Sequence, residues 1–215
     1  MISDKELSVG QKICSNFPSY IADLHEEKKC FFIHCLINKV CFNKIGLFDS
    51  FETDLKDFNV VYGSVGKGKT TFVRTIASVF NKYDLPKKDI VKQGFDSGSA
   101  RVDVVKKSSF NLIVDRDVID YVEKNGDCIP THEEKYESCF LENSVKCIIL
   151  DDAGVSLRLE YYQLFLDYLK KLNHDLQIIL TVNKSSRRPK ALFLNTFADC
   201  NFIDLDKIDS QEKLF

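Results

Sequence analysis

No apolar run in this chain reaches the ~18 residues of a membrane-spanning helix. The longest clusters, CIIL and QIIL, are of strand length, so no span is expected. C-x-x-C pairs are missing among the eight cysteines, which fall at 14, 30, 35, 41, 128, 139, 147 and 200. Cys30, His34 and Cys35 lie close together but lack the second half of a zinc site, so the cysteines read as free thiols of a reducing compartment. An excess of one charge is also missing. Thirty basic against 32 acidic residues leave a formal charge of -2, which removes a global nucleic-acid footprint and leaves only a local patch open. The opening MISDKELSVG has neither the basic region nor the apolar run of a secretory signal. Repeats, heptad runs and low-complexity tracts are absent. A soluble intracellular protein, cytoplasmic or nuclear, is the expectation, of cellular, viral or plasmid origin.

What is present suffices for one sizeable core with a small appended lobe: 215 residues, 44% hydrophobic, with 17 Phe and 8 Tyr. Residues 1–28 are polar and mixed and read as a flanking segment. FFIHCLINKV reads as one strand, and CFNKIGLFDSFETDL as another with a turn near Gly46. DFNVVYG is a buried strand ending in Gly63, and TTFVRTIASVFNKY follows with helical spacing of Phe72, Ile76, Val79 and Phe80. DIVKQG is expected as a strand, and ARVDVV with SFNLIVDRD as a hairpin. DVIDYVEKNGD has helical character, and Thr131 with Glu134 is a candidate capping box for a further helix. CIIL and QIIL are buried strands around the helix LEYYQLFLDYLKKLNHD, whose inner side is expected to carry Leu159, Tyr162, Leu166 and Leu169. A short helix in SSRRPKALFLNTFADC and the strand NFIDLDK close the pattern. Strands alternating with helices predict an α/β fold, a mostly parallel sheet flanked by helices, with an antiparallel β-lobe inserted. The expected domain spans 29–208, with β-lobe contributions from about 30–58 and 89–117, and residues 209–215 form a polar tail.

Gly63-Ser64-Val65-Gly66-Lys67-Gly68-Lys69-Thr70 fits G-x-x-x-x-G-K-S/T between a strand and a helix. Glycines let the backbone curl so that successive N–H groups face phosphate oxygens, and the helix presents its positive end to the same anion. Lys69 is placed to reach the β- and γ-phosphates of ATP. Thr70 is placed to put its hydroxyl on Mg²⁺, with Thr71 beside it. A P-loop needs an acid for the metal and its water, and CIILDDAG supplies one: Asp151 ends a hydrophobic strand where a Walker-B Asp belongs. Asp152 follows on the γ-phosphate side. Being shorter than Glu, it is a base, a weak base or a water-positioning group. Asn183, ending QIILTVN, is a candidate contact for the γ-phosphate or the attacking water, against a plain loop residue. Gln93 is a candidate ligand of Mg²⁺ or its water. Arg187 and Arg188 read equally as phosphate contacts, arginine fingers, a DNA patch or a solvated turn.

These motifs resemble a compact ABC-type ATPase head of the SMC/RecF family, over about residues 30 to 207. FFIHCLINKVCFNKIGLFDSFETDLKDFNVVYGSVGKGKTT is similar to the family's first strands and P-loop. DIVKQG puts Gln93 in the Q-loop position, IILDDAG resembles the Walker-B strand, and SLRLE, Ser156 to Glu160, falls at the D-loop. Three departures stand out. The window for the LSGGQ-like signature reads DCIPTHE, Asp127 to Glu133. Asn183 replaces the switch His, and Asp152 the catalytic Glu. The stretch between the lobe and CIIL is too short for the coiled-coil arm of a chromosome-tethering machine. The resemblance implies an ATP-dependent switch with slow hydrolysis, a homodimer or a heteromeric ATPase partner, and DNA maintenance or processing. The alternative is an AAA+ or viral packaging-type motor acting on nucleic acid as a ring, with Asn183 as a sensor. A vestigial nucleotide site and a small-molecule kinase are lesser readings.

Overall fold

The computed structural model describes residues 16–80, 90–104, 108–115, 119–124, 127–130, 145–155, 157–185 and 190–208. Helix α1, Phe17–Glu26, opens on Asn16, whose side chain accepts the Ser19 N–H at 3.2 Å. Ile21 and Leu24 are buried, and Phe17 stacks on Tyr168 with ring centroids 5.0 Å apart. The described part of the flanking segment is therefore packed into the domain.

FFIHCLINKV, expected as one strand, is two strands in two sheets. β1, Cys30–Ile33, joins the first sheet; β2, Ile37–Ile45, begins the second. Both Ile33 and Ile37 are 1% exposed, so the apolar run continues across the break and conceals it. The buried Gln177 side chain pins the junction. Its Oε1 accepts from Ile37 N–H at 2.9 Å, and its Nε2 donates to the carbonyls of Ile37 and Lys56 at 2.8 and 2.9 Å.

The second sheet is antiparallel, in the order β3-β2-β5-β6-β7-β8. Its members are β2, β3 (Phe48–Asp54), β5 (Ser97–Val104), β6 (Ser108–Asp115), β7 (Ile119–Lys124) and β8 (Asp127–Pro130). The β5–β6 hairpin matches expectation. The lobe runs past residue 117, however, because Ile119–Lys124 of DVIDYVEKNGD pairs on β6 as strand β7 rather than coiling. The spacing of its apolar residues suits a helix, but Val, Ile and Tyr favour the pleated surface once an edge is offered. Of DIVKQG, the described residues 90–94 form no full strand: among them only Val91 bridges, to Ile45. The proposed helix after Thr131 lies outside the described residues.

The first sheet has the order β1-β9-β10-β4-β11, with β4 (Phe58–Gly63), β9 (Cys147–Leu150), β10 (Gln177–Asn183) and β11 (Cys200–Asp204). β9, β10, β4 and β11 run parallel, and β1 pairs antiparallel with β9 at one edge. Side chains alternate between two cores. Val61, Ile149, Ile179 and Ile203 face helix α2, Lys69–Phe80, and the buried side of the lobe. Val60, Tyr62, Ile148, Leu150, Ile178 and Leu180 face α1, α3 (Leu159–Leu172) and α4 (Lys190–Thr196). On α3 the buried residues are Tyr162, Phe165, Leu166 and Leu169, while Leu159 is 54% exposed. This is the expected α/β architecture: a mostly parallel sheet between helices, with an antiparallel lobe.

Candidate functional site

Parallel strands buried on both faces leave room for polar chemistry only at their ends. The carboxyl ends of β4, β9 and β10 lie side by side, with Asn183 in register opposite Gly63. The loop from Gly63 to Gly68 turns back beneath α2. Gly66 and Gly68 have φ of +82° and +80°, a conformation side chains resist. Phe72 N–H is donated to Gly68 O at 2.8 Å, so the N–H groups of Lys69, Thr70 and Thr71 stand ahead of the helix's first bond. Val65 is 87% exposed at the loop tip. Ser64 is held from behind: Asp206, in the 3₁₀ turn Leu205–Lys207, accepts its N–H and its hydroxyl, each at 3.0 Å. Lys184 donates to the same carboxylate at 3.1 Å. The Ser64 N–H and the Lys184 ammonium hold the Asp206 carboxyl down at about 2.

Lys69 is buried, and its Nζ donates to Gly63 O at 3.0 Å and Ser64 O at 2.7 Å. Burial lowers its pKa from the usual lysine range. Thr70 Oγ1 donates to Asp151 Oδ1 at 3.2 Å. The hydroxyl of Thr181, 1% exposed, serves both acids at once. It donates to Asp151 Oδ1 at 2.9 Å and accepts from Asp152 N–H at 2.7 Å. Burial raises the Asp151 carboxyl above its ordinary range, opposed by the Thr181 and Thr70 hydroxyls. Asp152 has a φ of +53°, and Asn183 Nδ2 donates to its Oδ1 at 2.9 Å. Behind it, Gly154 N–H donates to Tyr20 Oη at 2.8 Å, so α1 touches the loop that follows the acidic pair.

The β-lobe closes on the front of the loop. Gly46, with φ +55°, lies so close to Thr71 that a Cβ on it would stand 2.7 Å from Thr71 Cγ2. A Cβ on Gly68 would meet the Phe48 ring at 3.6 Å. The segment carrying Gln93 is tied to the same hairpin: Lys92 N–H donates to Lys44 O at 2.8 Å, and the Lys92 ammonium pairs with Asp49. Gln93 itself is exposed in a turn, and among the described residues no hydrogen bond joins it to Thr70 or Asp151.

Lys69, Thr70, Asp151, Asp152 and Asn183 are thus brought together, with Gly63, Ser64, Val65, Gly66, Lys67, Gly68 and Thr71 shaping the loop. Arg187, Arg188 and Ser156 lie outside the described residues. Of the DCIPTHE window, Asp127–Pro130 is strand β8 at the lobe's edge, paired with Tyr121–Lys124. Thr181, Asp206 and Lys184 were missed in the sequence. The one signal was a Thr inside the otherwise apolar run of QIILTVN.

No protein-family model and no curated protein matches this chain. Solved structures do. The chain is similar to the SMC head domain from Thermotoga maritima, with a TM-score of 0.57 and 9% identity, over 78% of this chain and 94% of that one. The recombination mediator protein RecF with ATP gives a TM-score of 0.43 and 8% identity, over 64% of this chain and 42% of that one. An Smc head domain with an extended coiled coil, from Pyrococcus furiosus and bound to the C-terminal domain of ScpA, gives 0.46 and 10% identity, over 65% and 42%. The chain spans less than half the length of these last two. The fold is ABC-ATPase-like, a mostly parallel P-loop sheet flanked by helices with an antiparallel lobe.

Proposed function

We propose that this chain is an ATP-binding module of ABC/SMC type, an ATP-dependent switch with slow hydrolysis. The observation that carries the reading is that Lys69 and Thr70, opening the helix after β4, converge with Asp151, Asp152 and Asn183 at the ends of the neighbouring strands β9 and β10. The loop suits a phosphate chain: two glycines at positive φ, N–H groups ahead of the first helical bond, and a buried ammonium. The hydroxyl of Thr70 and the carboxylate of Asp151 are hard oxygen donors, suited to Mg²⁺. Among the described residues no three His, Cys, Asp or Glu side chains gather as a metal cage. Magnesium does not need one, because nucleotide phosphates and waters complete its shell.

In this reading Gly63 to Thr71 bind the phosphates, and Lys69 exchanges two carbonyl oxygens for phosphate oxygens. Mg²⁺ would supply charge neutralisation on those oxygens, held by Thr70 and Asp151, with Gln93 as a further candidate ligand. Thr181 orients both acids. Asp152 is the group that orients or deprotonates water. Asn183 occupies one of its oxygens, so the base is partly engaged before any substrate arrives, which supports slow turnover. The Asn183–Asp152 bond is also where a γ-phosphate would be sensed.

The ATPase domain we propose spans 29–208, flanked by 1–28 and 209–215. No helix among the described residues is long and apolar enough to cross a membrane. An intracellular setting in DNA maintenance or processing, and ATP-dependent association with a second copy or another ATPase chain, complete the proposal. The test is the size of the protein with and without ATP and Mg²⁺, for wild type and Asp152→Asn, alongside phosphate release. ATP-dependent assembly, prolonged in Asp152→Asn, is expected. A nucleotide-independent hexamer would overturn the switch in favour of a ring motor.

A further inference from the structure

The two oxygens of the buried Asp151 are unequally served. Oδ1 accepts from Thr181 at 2.9 Å and Thr70 at 3.2 Å. Oδ2 faces Nε of Arg74 at 3.8 Å, beyond hydrogen-bond reach. Arg74 lies one turn after Thr70 on α2, on the same helix face. Its Nε is buried and has no hydrogen-bond partner among the described residues, although the side chain as a whole is 38% exposed. A buried donor atom and the carboxylate of a buried residue thus stand opposite each other, close enough to cancel charge and too far apart for a hydrogen bond. A buried carboxylate without a counter-charge is costly, and a guanidinium stays charged throughout the working range of pH. A helical position has put a cation beside the acid while, among the described residues, no hydrogen bond reaches Oδ2.

Resting on the magnesium–nucleotide reading above, we infer that Arg74 is a positioning residue for that site. It is a resident counter-charge for Asp151 that competes with the divalent cation and so sets how much Mg²⁺ the site requires. A guanidinium and a dication that claim one carboxylate repel each other, so the metal is taken up only against Arg74. An ordinary solvated helix arginine would have no bearing on the metal requirement.

The test titrates Mg²⁺ at fixed ATP and reads binding from the anisotropy of a fluorescent ATP analogue. Wild type, Arg74→Gln and Arg74→Lys are compared, each with and without Asp151→Asn. Arg74→Gln is expected to lower the half-saturating Mg²⁺ roughly fivefold, the effect of a partly exposed ion pair. Arg74→Lys keeps the charge and should keep the wild-type requirement. The Gln effect should vanish in the Asp151→Asn background, since the coupling runs through that carboxylate. Should Arg74→Gln fail to fold, Arg74→Met retains the stem's packing and takes its place. An unchanged Mg²⁺ requirement in a variant that still binds ATP overturns the inference and leaves the nucleotide reading standing. A wild-type protein that binds no ATP at any Mg²⁺ concentration overturns both.

Discussion

The two sheets bury their residues differently. Every residue of β4 and β9 is buried, whereas β5 alternates strictly between covered and solvated positions. A strand covered on both faces has no side on which to place polar groups except its end. Asp151, Asp152 and Asn183 lie at or just beyond the carboxyl ends of β9 and β10, and Lys69 and Thr70 open the helix that follows β4. The lobe can place charges along its open face, and it does, in the pairs Lys39–Glu52, Lys44–Asp49 and Arg101–Asp103. Among the described residues no hydrogen bond joins these pairs to Lys69, Thr70 or Asp151. The lobe's contribution is mechanical: Phe42, Phe48 and Phe51 surround Phe72 of α2, and Gly46 seats against Thr71. One sheet carries the candidate site and the other braces the loop that completes it.

That division can be broken from either side. The largest effect is expected at Phe42, 2% exposed and edge-on to Phe72 at 5.2 Å. Phe42→Ala should cost about 3–5 kcal/mol of stability in a urea titration, from lost burial and a cavity. Where the protein remains folded, its ATP affinity should stay close to wild type. Lys69→Ala should do the reverse. It removes two charge-assisted contacts to phosphate, about 3 kcal/mol or roughly a hundredfold in ATP affinity. The melting temperature should not fall, because a buried ammonium goes with it.

Gly46→Ala tests the seam between the sheets. Its Cβ would press on Thr71 Cγ2 from a backbone of positive φ, so about 1–2 kcal/mol of stability should be lost. Thr71→Ser, which removes that methyl, should restore part of it. The smallest effect is expected at Asp206. Its carboxyl is held near 2 in the folded chain, below its unfolded value. Its stabilisation is therefore complete above about pH 4 and is lost as pH falls towards 2. The stability difference between wild type and Asp206→Asn should shrink from about 1 kcal/mol at pH 6 towards zero across that window, discounted for the partly exposed Lys184 partner.

The same contrast explains which parts of the molecule were legible beforehand. The buried strands of the parallel sheet read plainly, because continuous apolar runs ending in GSVGKGKTT, DDAG and VNK have few other uses. The lobe read less well. FFIHCLINKV hid a change of sheet, since Ile33 and Ile37 enter the same core on either side of the break. Strand β7 passed for a helix because partnering with β6, which no local window contains, decided its conformation. Within the site, the P-loop and the acidic pair were visible as motifs. Thr181 and Asp206 were not, because their roles come from strand register: Thr181 is placed by β10 beside β9, and Asp206 by β11 beside β4. Asn183 was legible only as a candidate contact for the γ-phosphate or the attacking water, and its bond to Asp152 became visible only once the two strand ends were adjacent.

The central claim is that the strand ends form a magnesium–nucleotide site. Calorimetric titration of ATP into the wild-type chain with Mg²⁺, beside Lys69→Ala, tests it most directly. The account predicts one ATP bound per chain, tighter with Mg²⁺ than with a chelator, and binding weakened roughly a hundredfold in Lys69→Ala. No heat of binding for the wild type at millimolar ATP, or equal affinity in both proteins, would contradict it.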